Sequence, residues 1–201
     1  MTPTTRPEIV PGTRIFLTTL LKEDVPLMTA WFNDLETTAY LGMVGTFFRI
    51  EQEQEWYDNL ARQTDQVVFG IVVRETQRII GSVSLMHIDH AHGSAELGIL
   101  IGDKTAWGCG YGSEAVRLMA EYGCFFKNLS SICLWFVAFN ERGHRAYRRA
   151  GFREVGRWRK SYCIGGERYD RVLMDVTRDE LDLSRMSGMV RLLGEHGNAE
   201  G

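Results

Sequence analysis

The chain is poor in cysteine, proline and excess positive charge, and it has no long apolar run. Its four cysteines, Cys109, Cys124, Cys133 and Cys163, form no C-x-x-C pair and no zinc spacing. That argues against a disulfide framework and a bound metal, and for thiols kept reduced as packing residues. No apolar stretch approaches the length of a membrane span, and no apolar signal core follows the N-terminal charges. The expected location is therefore cytoplasmic, with no membrane partner. The net charge of −3 lacks the basic excess that phosphate-backbone binding needs, which excludes a generic nucleic-acid partner. Three of the four prolines fall in residues 1–12, which read as a flexible lead-in.

Glycine is what the chain concentrates. Residues 107–112 read Trp-Gly-Cys-Gly-Tyr-Gly, between a strand-like apolar run and a strongly amphipathic helix. Glycines at a strand-to-helix handover let the backbone turn sharply and bare its N–H groups, and the helix adds its positive dipole end. The element suits a phosphate anion. The spacing of Gly108, Gly110 and Gly112 matches neither the dinucleotide fingerprint nor a Walker loop, which also needs a Lys and a Ser/Thr. A nicotinamide-binding dehydrogenase fails on the same count, and on the lack of repeated βαβ units.

The remaining pattern is mixed α/β. Strands are expected at 13–20, 67–73, 79–87 (with a bulge at Gly81), 96–101 and 131–139, the last apolar on both faces. A closing hairpin spans 152–163 and 168–176, turned at Gly165-Gly166. Helices are expected at 22–32, 51–63, 110–127 and 141–150, with 33–45 rich in turns and Gly151 capping the last helix. The sheet is split and partly parallel. With no repeat or linker, residues 13–177 read as a single domain. Residues 178–201 form a helix-compatible extension, suited to a homodimer contact or to a frayed end, and then a polar tail.

Asn140 closes the strand at 131–139, and Tyr147 follows two helical turns later on the same helix face. One amide and one phenol thus point beside the strand. A phenol of pKa about 10 is matched to reprotonating a thiolate of pKa roughly 8.5–10. The competing reading is that Asn140 caps the helix and Tyr147 packs beneath it.

The segments ELGILIGDKTAWGCGYGSEAVRLMAEYG, FNERGHRAYRRAGF and GGERYDRVLMDV, with WFNDLETTAYLG and EQEQEWYDNL near the start, resemble the GCN5-related N-acetyltransferase (GNAT) superfamily. The likeness is to the branch of ribosomal-protein alanine and spermidine acetyltransferases, over about residues 13–177. It implies a largely antiparallel mixed sheet, splayed at its middle strands, with helices on both faces. It also implies acetyl-CoA as cosubstrate and no metal. Trp107, Gly108, Cys109, Gly110, Tyr111, Gly112 and Ser113 would cradle the pyrophosphate. The backbone of Ile99, Leu100 and Ile101 would run beside the pantetheine arm, Asn140 would bond that arm, and Tyr147 would act as general acid. The chain departs from the family's habit at Trp107, often Arg or Gln, and at Gly143, often a small hydroxyl residue.

Glu96 is the candidate general base. A polyamine amine of pKa near 10.4 must give up about 4.6 kcal/mol to lose its proton at pH 7, whereas a protein α-amine needs only about 1–1.4 kcal/mol. The resemblance implies a primary amine as acceptor, with a protein N-terminus favoured over a polyamine or other small amine. A catalytically silent acyl-CoA-binding module is the reading from another class, and a longer acyl donor stays open. His87, His90 and His92 sit by a turn without converging ligands, and Cys109 has no nearby His to make it a nucleophile. The arginines at 142, 145, 148, 149 and 153 read as a solvated helix face with a second reading as a phosphate contact.

Overall fold

The computed structural model describes residues 6–197. Eight strands form one sheet: β1 (Val10–Pro11), β2 (Ile15–Thr18), β3 (Val67–Val73), β4 (Arg78–Asp89), β5 (Ser94–Ile101), β6 (Ser131–Val137), β7 (Arg153–Ile164) and β8 (Glu167–Thr177). Six helices accompany them: α1 (Val25–Phe32), α2 (Leu35–Ala39), α3 (Ile50–Leu60), α4 (Tyr111–Phe126), α5 (Glu141–Ala150) and α6 (Ser184–Gly197). The strand order is β1-β2-β3-β4-β5-β6-β8-β7, and every pairing is antiparallel except β5 with β6. No helix of the described residues is long and apolar enough to cross a membrane.

The one parallel pairing decides the architecture. It holds only for Ser94–Ser131, Ala95–Ile132 and Glu96–Cys133, after which β5 and β6 part. Beyond Glu96, β5 stays paired to β4, and beyond Cys133, β6 stays paired to β8. The sheet is splayed at its middle strands, as the resemblance implies.

Alternating residues of each strand supply the main core. Ile71, Leu85, Leu97, Ile132, Leu134 and Met174 pack with Ala115, Val116, Met119 and Ala120 of α4. On the opposite face Phe16, Val72, Leu20, Val25 and Met28 are buried around α1. At roughly 25 cal/mol per Å² of apolar area removed from water, these two layers carry most of the stability. Phe126, the last residue of α4, is exposed.

Several local details differ from the sequence pattern. Residues 1–5 of the lead-in lie outside the described residues, and residues 6–12 are docked: Val10 is fully buried in β1, and the Arg6 guanidinium grips Asp24 at 2.8 and 2.5 Å. The turn-rich segment holds α2, because the Asp34 carboxylate accepts from the Thr37 N–H at 2.9 Å and caps it. The extra residue of the β4 bulge is Ile80 rather than Gly81. Gly81 is required for a different reason, since a Cβ there would lie 1.9 Å from the Leu100 carbonyl oxygen. On β6, Ile132, Leu134 and Phe136 are buried on one face, and on the other the cover runs from exposed Cys133 through half-buried Trp135 to fully buried Val137. After Thr177, Met186 of α6 is fully buried in the chain's own core, and Arg185 lies 3.6 Å from Glu121 of α4.

Candidate active site

A cavity of about 300 Å³ opens where β5 and β6 separate. Its floor is Ile99, Leu100 and Ile101 of β5, one wall is the glycine loop leading into α4, and the other is α5. Thr37, Tyr40 and Leu41 close it from the side of α2.

The three loop glycines have different reasons to be there. Gly108 and Gly110 have φ of 78° and 84°, the left-handed region that side chains disfavour. Gly112 has an ordinary backbone, and a Cβ on it would meet only Ile101 Cγ1 at 3.8 Å. Gly110 is the N-cap of α4 and offers no side-chain acceptor. Among the described residues no acceptor takes the N–H groups of residues 108–113, so they remain available to an anion at a helix N-terminus. The loop is braced from outside by Arg14, which donates to the Cys109 carbonyl at 2.7 Å and lies over the Tyr111 ring at 5.1 Å. Glu114 holds that brace, accepting from the Thr13 and Arg14 N–H groups at 2.6 and 3.0 Å.

On β5 the three expected residues divide by strand alternation. The Ile101 carbonyl already accepts from Trp107 Nε1 at 2.7 Å, which fixes the indole across the cavity. The Leu100 carbonyl points away toward Gly81. Backbone groups two residues apart point the same way, so the polar groups of Ile99 face the open side with Ile101. Ile99 is the position whose backbone is free to pair with an extended ligand.

Asn140 is buried and serves two purposes. Its Oδ1 accepts from the Gly143 N–H at 2.8 Å, capping α5, and its Nδ2 donates to the Tyr40 carbonyl at 3.3 Å, tying α2 to α5 across the cavity. A Cβ at Gly143 would come within 2.7 Å of Asn140 Nδ2, so glycine there leaves room for the cap. Tyr147 packs against Phe136 with ring centroids 5.4 Å apart, and it lines the cavity. Burial pushes its phenol up to about 12, with the Arg142 cation pulling the other way. At neutral pH it holds its proton. His144, half-buried, stacks on the same Phe136 ring with centroids 5.5 Å apart.

Three sequence-predicted site residues lie outside the cavity lining. Cys109 and Tyr111 are loop residues whose side chains turn away from it. Glu96 sits at the last β5–β6 pair, on the strand rather than in the cavity, 3.6 Å from His87 Nδ1. Among the described residues no cluster of three or more His, Cys, Asp or Glu is arranged to hold a metal.

The lining adds Thr37, Tyr40 and Leu41, which sequence reasoning missed, to the arginines whose second reading was a phosphate contact. The Arg142 guanidinium lies 3.7 Å over the Trp107 ring and 4.6 Å from that of Tyr40, and desolvation lowers its pKa. Arg145 and Arg149 line the same wall. Arg142 is half-buried, whereas Arg145, Arg148, Arg149 and Arg153 are exposed, as a solvated helix face is; Arg145 pairs with Glu141 at 3.4 Å and Arg153 with Glu180 at 2.9 Å. The i, i+3, i+7 spacing of Arg142, Arg145 and Arg149 brings these three to one wall of the cavity.

A loop of free N–H groups, a cation-lined wall and a protonated phenol suit a ligand with a diphosphate at one end and a leaving group at the other. Residues 14–153 match the acetyltransferase (GNAT) domain. The chain belongs to the GNAT acetyltransferase family. It is therefore read as an acyltransferase. Among known proteins, it is 26% identical over 168 residues to the uncharacterized N-acetyltransferase YoaA of Bacillus subtilis, covering 82% of this chain and 94% of that one. It is 30% identical over 122 residues to the uncharacterized N-acetyltransferase p20 of Bacillus licheniformis, covering 59% and 67%. Its fold matches the spermidine N-acetyltransferase of Vibrio cholerae, solved with CoA and spermine, at a TM-score of 0.78 and 21% identity, covering 84% and 98%.

Proposed function

We propose that the protein transfers an acetyl group from acetyl-CoA to a primary amine by direct attack, with the α-amine of a protein or peptide as acceptor. The observation that carries the donor is the single cavity joining the glycine loop to Tyr147. The N–H groups of residues 108–113 fit a pyrophosphate, and Ile99 fits the amides of a pantetheine arm. Acetyl-CoA supplies the activated thioester. Tyr147 holds the proton that a departing thiolate needs, and Asn140 keeps the two walls in register.

The acceptor reading rests on what lines the cavity. It has three arginines and no carboxylate or histidine. A polyamine would bring several positive charges to a wall where Arg142 and Arg149 have no carboxylate partner among the described residues and Arg145 has Glu141 at 3.4 Å. An α-amine brings one, and loses it at a cost of only about 1–1.4 kcal/mol at pH 7. Glu96, outside the cavity lining, is then dispensable as a base. The polyamine reading draws on the Vibrio cholerae relative, whose structure holds spermine.

The test is thiol release from acetyl-CoA with free-amine peptides, spermidine, spermine and aminoglycosides as acceptors. Peptide-dependent release that exceeds release with spermidine is the expected result. Release with spermidine alone would move the acceptor to polyamines. Stabilisation by acetyl-CoA without release for any amine would leave a silent binding module.

A further inference from the structure

The sheet face beside the cavity carries a cation that the donor chemistry does not use. Arg171 of β8 lies 4.2 Å over the Trp135 ring, with the rings of Trp158 and Tyr162 at 5.5 and 5.7 Å. Its Nε is buried and has no hydrogen-bond partner, and the guanidinium has no ion-pair partner among the described residues. Aromatic faces offset part of the cost of burying this charge but satisfy none of its five N–H donors. A planar fork of unpaired donors matches a carboxylate.

Two chains of contact connect this box to the cavity. Leu41 lines the cavity, and its neighbour Gly42 lies so close to the Trp135 ring that a Cβ would meet it at 2.8 Å. Tyr40, also in the lining, stacks edge-on with Phe139 at 6.2 Å, and Phe139 with Tyr169 at 5.1 Å, two residues before Arg171 on the same face of β8. The surroundings are open and basic. Between the pairs Trp158–Arg171 and Tyr162–Tyr169, three residues of β7 oppose Asp170 alone, so Arg159, Lys160 and Ser161 bulge outward. Asp170 is occupied by the Lys160 N–H at 2.9 Å. Trp158 is 61% exposed, and Arg159, Lys160 and Arg168 are exposed beside it.

Resting on the acetyl-transfer reading, we propose that Arg171 is a specificity-determining residue that binds an acidic side chain of the acceptor. The acceptor is then a peptide N-terminus with Asp or Glu close behind its α-amine. An open basic face continuing from Arg171 suits a ligand that extends past its amine, which a single amino acid does not. The same face repels a polyamine.

The test compares two C-terminally amidated peptides, Ser-Asp-Glu-Ala-Ala and Ser-Asn-Gln-Ala-Ala, with spermidine, using the full chain, R171M and R171K. Wild type is expected to favour the acidic peptide about tenfold in kcat/KM, through KM, since a charge-assisted hydrogen bond is worth about that ratio. R171M, which keeps an apolar stem over the rings, should erase the preference while leaving KM for acetyl-CoA unchanged. R171K should keep part of it. Raising the salt from 50 to 500 mM should shrink the wild-type preference, which reads the ion pair without any variant. Equal use of the two peptides by wild type, a preference that ignores salt, or faster turnover of spermidine than of either peptide overturns the inference. So does an enzyme that binds acetyl-CoA yet acetylates none of the three. Failure to bind acetyl-CoA at all instead defeats the donor reading.

Discussion

Replacing Tyr147 by Phe removes one oxygen and leaves the ring that packs on Phe136 at 5.4 Å. The substitution therefore separates chemistry from packing. In water a thiol of pKa about 8.5 is a stronger acid than a phenol held at about 12, so transfer from Tyr147 to a thiolate would run uphill by about 4.8 kcal/mol. The interior of this protein narrows that gap. Burial pushes the Cys124 thiol up to about 11, and a thiolate released beside the buried Tyr147 is raised in the same direction. A rise of the same two units would leave donor and acceptor about 1.5 units apart, or about 2 kcal/mol, which makes the phenol a competent acid. Y147F should lose about 10²–10³-fold in kcat, the usual worth of a general acid, with KM for acetyl-CoA within twofold. Steady-state thiol release would measure both. In wild type, kcat/KM should rise with the acceptor amine near pH 7.7–8 and stay level to above pH 10, because the acid deprotonates only near 12. A Y147F enzyme within threefold of wild type, or a wild-type profile that falls above pH 9, would refute this reasoning.

Three further outcomes test the framework. G108A and G110A should each lose about 1–2 kcal/mol in urea unfolding, because alanine is strained at their positive φ, whereas G112A should change little. E121Q should be more stable at pH 7.5 by about 2–4 °C in Tm, since burial raises the Glu121 pKa and its Oε2 has no hydrogen-bond partner. A raised carboxylate contributes stability only while protonated and loses it as pH climbs through its folded pKa, so the advantage of Gln should vanish near pH 4. The Cys124 thiol, raised from 9.0 to about 11, is neutral in both states below pH 9. Folded protein should then lose about 1.4 kcal/mol per pH unit between 9 and 11, and C124A should show a shallower Tm decline over that range.

The sequence shows most of this fold because its elements are marked by local chemistry. The strand at Val67–Val73, the helix Glu141–Ala150 and the left-handed cap at Gly151 stand where their residues predict. Elements fixed by distant partners were less legible. The five-residue α2 depends on one Asp34 cap, and the lead-in depends on a buried Asp24 eighteen residues from Arg6. At the site, the loop and the Asn140–Tyr147 pair carry a pattern, since they need particular side chains or the lack of one. Tyr40 and Arg142 meet only because Asn140 ties their elements together, a contact 100 residues apart that no spacing rule reveals. Glu96 stands apart from that lining: it sits at the last β5–β6 pair, where the two strands begin to separate.

The parting of β5 and β6 after Glu96 and Cys133 leaves the molecule with an edge on its inside. An outer edge is a hazard that invites foreign strands, but this one borders a slot walled by the glycine loop and α5, where only a thin extended chain enters. Whatever fills it is read through main-chain groups that every amino acid shares. The Ile99 side chain packs against the core, so a substitution scan would read any loss there as a packing defect and miss its main-chain part in binding. The position most involved in holding the ligand would be among the least visible to genetics, and amide exchange at Ile99, with and without ligand, would reveal it.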